Sequence, residues 1–301
     1  WVDLTATTVG RKFRVQVLGE PEGKPNLLFL VGALNDMAKP STLSALTGMF
    51  ANSFRVVSFD GRNSGETRPF TWEEAREPGD TEYSHVAEYA DDAAAVAAVI
   101  FGPQARYHVA GFSAGAVQAL WVAYRYPLRV KGIANICGGY YPSRMDEFAD
   151  GGFDDLDRLC GDEVVWVRAM MESNNEVVAL NANTTLKRDS PQLKATLLAM
   201  EEENERLYAT EGYDKAGVMR GIRHLQVAGR ICGCPPKEHL RQMSMKTYLV
   251  GGRWDNMHKL SRMRELKKLM PDSKLMMHNS AHFQTTIFSC DEITKFFKSL
   301  E

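Results

Sequence analysis

The chain has 301 residues and a mass of 33.7 kDa, with 44% hydrophobic and 25% charged residues. Those proportions are ordinary for one large globular domain, or a domain with a sizeable insertion, and exclude wholesale disorder. Lys and Arg number 36 against 38 Asp and Glu, a net charge of -2, so no electrostatic footprint for nucleic acid or an anionic membrane is present. The longest apolar run, Ala93 to Phe101, is far too short to span a bilayer. Of the five cysteines only Cys232 and Cys234 lie close together, with no second pair at zinc spacing. They read as reduced structural thiols; no cofactor and no metal are expected. No signal-peptide pattern opens at Trp1, so the expected location is cytoplasmic. A chain opening without Met leaves room for a trimmed targeting segment ahead of it.

In chain order, Leu4 to Val9 and Phe13 to Leu18 alternate around Gly10, Arg11 and Lys12, which predicts an antiparallel hairpin. Leu27 to Val31 is a continuous apolar run, as in a strand buried on both faces. A helical pattern over Thr42 to Phe50 follows, then a second buried strand at Arg55 to Phe59. A loop containing Pro69 and Pro78 leads to a long Ala-rich helix from Tyr83 to Ile100. Tyr107 to Ala110 is the third buried strand, a helix runs from Ala114 to about Tyr126, and Gly132 to Ile136 is the fourth strand. The alternation stops near Gly139 and gives way to mostly helical patterns up to about Arg241. It resumes with a strand at Lys246 to Val250, a helix from Leu260 to Leu269, a strand at Lys274 to Met277 and a final helix from about Asp291. Strands alternating with helices imply parallel pairing with helices on both faces of the sheet. The reading is an α/β core over residues 1–139 and 243–301, interrupted at 140–242 by a helical insertion. That insertion falls beside the carboxyl ends of the strands, where open α/β sheets bind ligands.

Gly111-Phe112-Ser113-Ala114-Gly115 matches G-x-S-x-G where a buried strand ends and a helix begins. Chance alone supplies about 0.1 such matches in a chain of this length. The setting is what gives the match meaning. A serine on so sharp a turn is strained, and its neighbours two residues either side must be small because strand and helix pass close together. The helix start also points free N–H groups at the serine oxygen. The bland alternative is a glycine-rich connection with an incidental serine.

A serine nucleophile needs a base, and the base an orienting acid. His282 lies in a short loop between the last predicted strand and the last helix, at that strand's carboxyl end. His278, at the end of the strand, is its nearest rival. His108 falls inside a buried strand and reads as a core residue; His85, His224, His239 and His258 default to surface roles. Asp255 follows the strand ending near Gly251 and is the candidate acid. It would equally serve as an N-cap for the next helix. Asp146 and Glu147, after the fourth strand, are the alternative acids.

With Ser113, Asp255 and His282 in that order, the chain resembles the α/β-hydrolase family over about Thr5 to Gly139 and Lys246 to Leu300. Asp60 to Thr67 is similar to the family's D-x-R-G-x-G-x-S loop, with Asn63 in place of a glycine, and the insertion falls where the family carries a cap. The family's frequent His-Gly after the first parallel strand is here Val31-Gly32. The resemblance implies backbone oxyanion donors at Ala33, or failing it Leu34, and at Ala114. A narrower similarity, through Leu30 to Leu34 and Gly252 to Asp255, is to hydroxyacyl-thioester transferases that make bacterial lipid precursors. The expected partner is a small to medium apolar ester or acyl substrate; no nucleic-acid or membrane partner is expected, and the oligomeric state is not legible. Trp166, Met170, Met171 and Leu180 offer an apolar lining from the insertion or, equally, plain core. Two other classes stand beside serine ester hydrolysis: acyl transfer or thioester cleavage on the same scaffold, and a non-catalytic binding protein.

Overall fold

A computed structural model describes residues 2–3, 12–20, 23–30, 48–61, 84–142, 233–255 and 258–301, with scattered helical positions between 191 and 202. Strand β1 (Val2–Asp3) pairs antiparallel with β2 (Lys12–Phe13), Val2 opposite Phe13. The main sheet has seven strands: β3 (Val15–Leu18), β4 (Asn26–Leu30), β5 (Arg55–Phe59), β6 (Tyr107–Phe112), β7 (Val130–Ile136), β8 (Lys246–Gly252) and β9 (Ser273–His278). Their order is β3-β5-β4-β6-β7-β8-β9. Every neighbouring pair is parallel except β3 on β5, where Val15 faces Phe59. The expected antiparallel N-terminal strands are present as β1 and β2. The later part of the predicted hairpin, Val15–Leu18, also joins the edge of the main sheet beside β5, and residues 4–10 lie outside the described residues.

The two-residue period of the strands divides their side chains between two cores. Leu28, Leu30, Val57, Val109, Ile133 and Leu249 face one side, where they meet helices α1 (Ser84–Phe101), α2 (Ala114–Arg125) and α4 (Leu260–Leu269). Leu27, Phe29, Val56, Ala110, Phe112, Ala134 and Val250 face the other, where Cys290, Ile293 and Phe297 of α5 (His282–Lys298) cover them. This is why the central strands read as unbroken apolar runs rather than alternating ones. Small residues on α1, including Ala90, Ala93 and Ala97, are buried against α2 and the sheet. No helix among the described residues is long and apolar enough to cross a membrane.

Phe297 anchors the second core from the C-terminus. Its ring stacks on His108 at 4.4 Å and meets Phe54 edge-on at 5.9 Å. His108 Nε2 lies 2.7 Å from Glu301 Oε1, and Lys131 Nζ donates to the other oxygen at 2.6 Å. Burial pushes the His108 pKa below its ordinary value, against the opposing pull of Glu301. That matches the expected core histidine. Phe297→Ala should cost ~3–5 kcal/mol of stability, read from denaturant unfolding, because a fully buried ring leaves a cavity.

The last helix begins at His282, not near Asp291. Its inward face is hydroxyl-bearing: Thr285, Thr286 and Ser289 are fully buried, while Ile287 and Phe288 are exposed. Thr285 Oγ1 donates to the Ala281 carbonyl at 2.8 Å and lies 2.7 Å from Ser280 Oγ. With polarity inverted over two turns, the hydrophobic period signals the helix only after them.

Most of the expected insertion at 140–242, including Trp166, Met170, Met171 and Leu180, lies outside the described residues. Its two ends are described, and they meet. Cys234 N–H donates to the Tyr141 carbonyl at 2.8 Å, and Trp121 Nε1 donates to the Gly233 carbonyl at 2.9 Å. Tyr140, Cys234 and Leu240, the last on α3 (Lys237–Gln242), belong to the first core.

Candidate active site

Ser113 occupies the turn between β6 and α2 with φ 55° and ψ -122°, a left-handed backbone that non-glycine residues avoid. Its N–H donates to the Ile136 carbonyl and its own carbonyl accepts from Ala116 N–H, both at 2.9 Å. These bonds hold the strain in place. The close passage of strand and helix is present: a Cβ added at Gly111 would fall inside the Gly115 carbonyl and within 2.7 Å of the Ala116 nitrogen. Both obstacles are backbone, so Gly111→Ala should cost about 3 kcal/mol, at the upper end for overpacking, as a lowered unfolding midpoint. Ala114 opens α2, so its N–H is among those without a partner inside the helix. Ala33 and Leu34, the other expected oxyanion donors, lie outside the described residues, as do Asp146 and Glu147.

Asp255 follows β8 by three residues, and backbone bonds tie that stretch to the β9–α5 connection. Arg253 N–H donates to the His278 carbonyl at 2.9 Å and Trp254 N–H to the Ser280 carbonyl at 3.1 Å. The strand ends thereby bring Asp255 to His282. His282 Nδ1 and Asp255 Oδ2 are 2.7 Å apart, each side chain 1% exposed. The second carboxylate oxygen, Oδ1, accepts the backbone N–H of His258 at 2.9 Å. Asp255 does not cap the next helix, whose N-cap position is Lys259; one of its oxygens closes the turn ahead of that helix and the other meets the imidazole. Burial pushes the Asp255 carboxyl up, but the charge and hydrogen bond of His282, aided by His258, outweigh it and hold the group below the usual value.

One histidine expected at the surface is not there. His258 is buried, and its Nε2 is the partner of Ser113 Oγ at 3.3 Å. Its Nδ1 lies 3.1 Å from the Tyr141 hydroxyl, and its ring stacks on that of His282 at 5.0 Å, 18° from parallel. The sequence signal was Asp255-Asn-Met-His258, a histidine one turn past the acid on a strand-end loop. His239, also expected outside, is half-buried and stacked on Tyr124 at 4.4 Å. His278 ends β9, its Nε2 3.2 Å from a Glu292 carboxylate oxygen. The His85 side chain and all of His224 lie outside the described residues.

Cys137 follows β7 with φ 49°, and its thiol donates to the His282 carbonyl at 3.4 Å. Burial, then the nearby Asp255 charge, pushes that thiol well up, so it stays protonated and is no rival nucleophile. Cys137, Asp255 and His282 bring three donor atoms within 4.8 Å of one another. A metal there would have to displace the short imidazole–carboxylate bond. Cys137, Cys234 and Cys290 are free thiols.

The chain matches the family model described as alpha/beta hydrolase fold over residues 25–285. No curated protein matches it in sequence. Among solved structures it is similar to Est816, described as an N-acyl homoserine lactone degrading enzyme, at 19% identity and TM-score 0.64, covering 96% of this chain and 97% of that one. The enol-lactonase of Burkholderia xenovorans LB400 is similar at 14% identity and TM-score 0.62, covering 97% and 96%. A hydrolase of Pseudomonas aeruginosa PA01 is similar at 18% identity and TM-score 0.62, covering 98% and 96%.

Proposed function

The chain belongs to the alpha/beta hydrolase fold family, and from that premise we propose that it is a serine hydrolase cleaving a small to medium apolar carboxylic ester. The observation that carries the reading is the buried 2.7 Å bond between His282 and Asp255, linked through the stacked ring of His258 to a serine on a strained strand-to-helix turn. Ser113 Oγ attacks the ester carbonyl carbon as its proton passes to imidazole. The carbonyl π pair moves onto oxygen, where Ala114 N–H at the start of α2 meets the developing charge. Collapse breaks the bond to the alcohol, which leaves with the proton, and an acyl-enzyme remains. Water, deprotonated by His282, then releases the acid. Asp255 holds the His282 tautomer and stabilises its charged form.

A panel of p-nitrophenyl esters from acetate to octanoate tests this directly, extended by a lactone and an acyl thioester. Turnover of at least one ester, absent in Ser113→Ala, is the expected result. A folded protein that turns over none of them contradicts the reading. Adding a primary alcohol acceptor separates transfer from hydrolysis.

A further inference from the structure

We propose that His258 is a second catalytic base for Ser113, so that two imidazoles, not one, serve the nucleophile. The inference rests on the serine-hydrolase reading above and adds a residue to it. Its ground is geometric. His258 Nε2 lies 3.3 Å from Ser113 Oγ. At the opposite edge of the ring, Nδ1 lies 3.1 Å from the Tyr141 hydroxyl. A neutral imidazole has one N–H and one lone pair. With the Nδ1 proton donated to the Tyr141 oxygen, the lone pair of Nε2 faces the serine hydroxyl, as a base requires. Tyr141 is fully buried, so its hydroxyl meets the ring away from water, and the proton is assigned to Nδ1.

Asp255 serves both rings. One oxygen accepts from His282 Nδ1 and the other from the His258 backbone N–H. Its single negative charge stabilises a proton on either imidazole. The rings stack at 5.0 Å, which disfavours protonating both at once. The site therefore holds one proton with two places to put it. In acylation the Ser113 O–H bond breaks and a new N–H bond forms at His258 Nε2. The serine oxygen bonds to the carbonyl carbon, and the proton goes on to the departing alkoxide as the C–O bond breaks. His282, paired with the carboxylate, remains the base for the water step. Removing one imidazole leaves the other in place.

The test is the rate at which a fluorophosphonate labels Ser113, where fluoride leaves phosphorus as the serine oxygen bonds to it. Wild type, His258→Gln, His282→Gln and the double variant are compared, with folding checked by circular dichroism and thermal unfolding. General-base assistance is worth about 10²–10⁴. His258→Gln should be at least about tenfold slower than wild type, and His282→Gln should still label at least about tenfold faster than the double variant. The double variant should fall to the Ser113→Ala background. His282→Gln as slow as the double variant, or His258→Gln at the wild-type rate, overturns the second base while leaving the serine-hydrolase reading intact. A wild type that takes no label overturns both. Tyr141→Phe keeps the ring and removes only the hydroxyl. It should slow labelling and shift its pH profile, and a wild-type rate and profile would remove the tautomer role given to Tyr141. Should His258→Gln not fold, that milder variant together with His282→Gln against Ser113→Ala decides the matter.

Discussion

Ser113→Ala is expected to lower kcat for ester hydrolysis by on the order of 10⁶, since nucleophile and base act as a unit and neither works alone. Removing only Oγ should leave the fold intact. Alanine accepts the same turn with comparable strain, and the bonds from Ser113 N–H to Ile136 and from Ala116 N–H to the Ser113 carbonyl are backbone. Steady-state kinetics beside a thermal melt would show activity gone at an unchanged midpoint. A loss below tenfold would remove Ser113 from the chemistry.

Asp255→Asn carries the second largest effect, a fall in kcat on the order of 10⁴. The carboxylate sits 2.7 Å from His282 Nδ1 with no solvent between them. An amide NH₂ turned toward Nδ1 would donate where the carboxylate accepted. The imidazole would then hold its proton on Nε2, the nitrogen that must accept one. The amide oxygen still accepts the His258 N–H, so the turn survives and the loss is one of chemistry. The loss should fall mainly in kcat, with KM little changed. A variant within tenfold of wild type would mean that the carboxylate only caps its turn.

Much of this arrangement was legible in the chain. Leu27 to Leu30, Val56 to Phe59 and Tyr107 to Phe112 bury both faces, so composition alone marks them as inner parallel strands. Gly111 and Gly115 announce a close backbone crossing, and the steric demand at Gly111 is there in three dimensions. Asp255 and His282 were readable because both follow strands whose carboxyl ends share one edge of the sheet. The rest depended on contacts far apart in sequence. β3 pairs with β5 across 37 or more intervening positions, and nothing local reports that pairing. The start of α5 was hidden because Thr285, Thr286 and Ser289 turn inward while Ile287 and Phe288 turn out. His258 was hidden for a related reason. Its partners are Tyr141, just past β7, and the turn closed by Asp255, neither of which a periodicity reports.

The mechanism turns on Ser113 being an activated nucleophile. Its most direct measurement is the site of fluorophosphonate attachment, mapped by mass spectrometry on the intact, folded chain with Ser113→Ala alongside. One adduct is expected, on the peptide carrying Ser113, and none in the variant. An unlabelled wild type, or an adduct that persists when Ser113 is replaced, would contradict it.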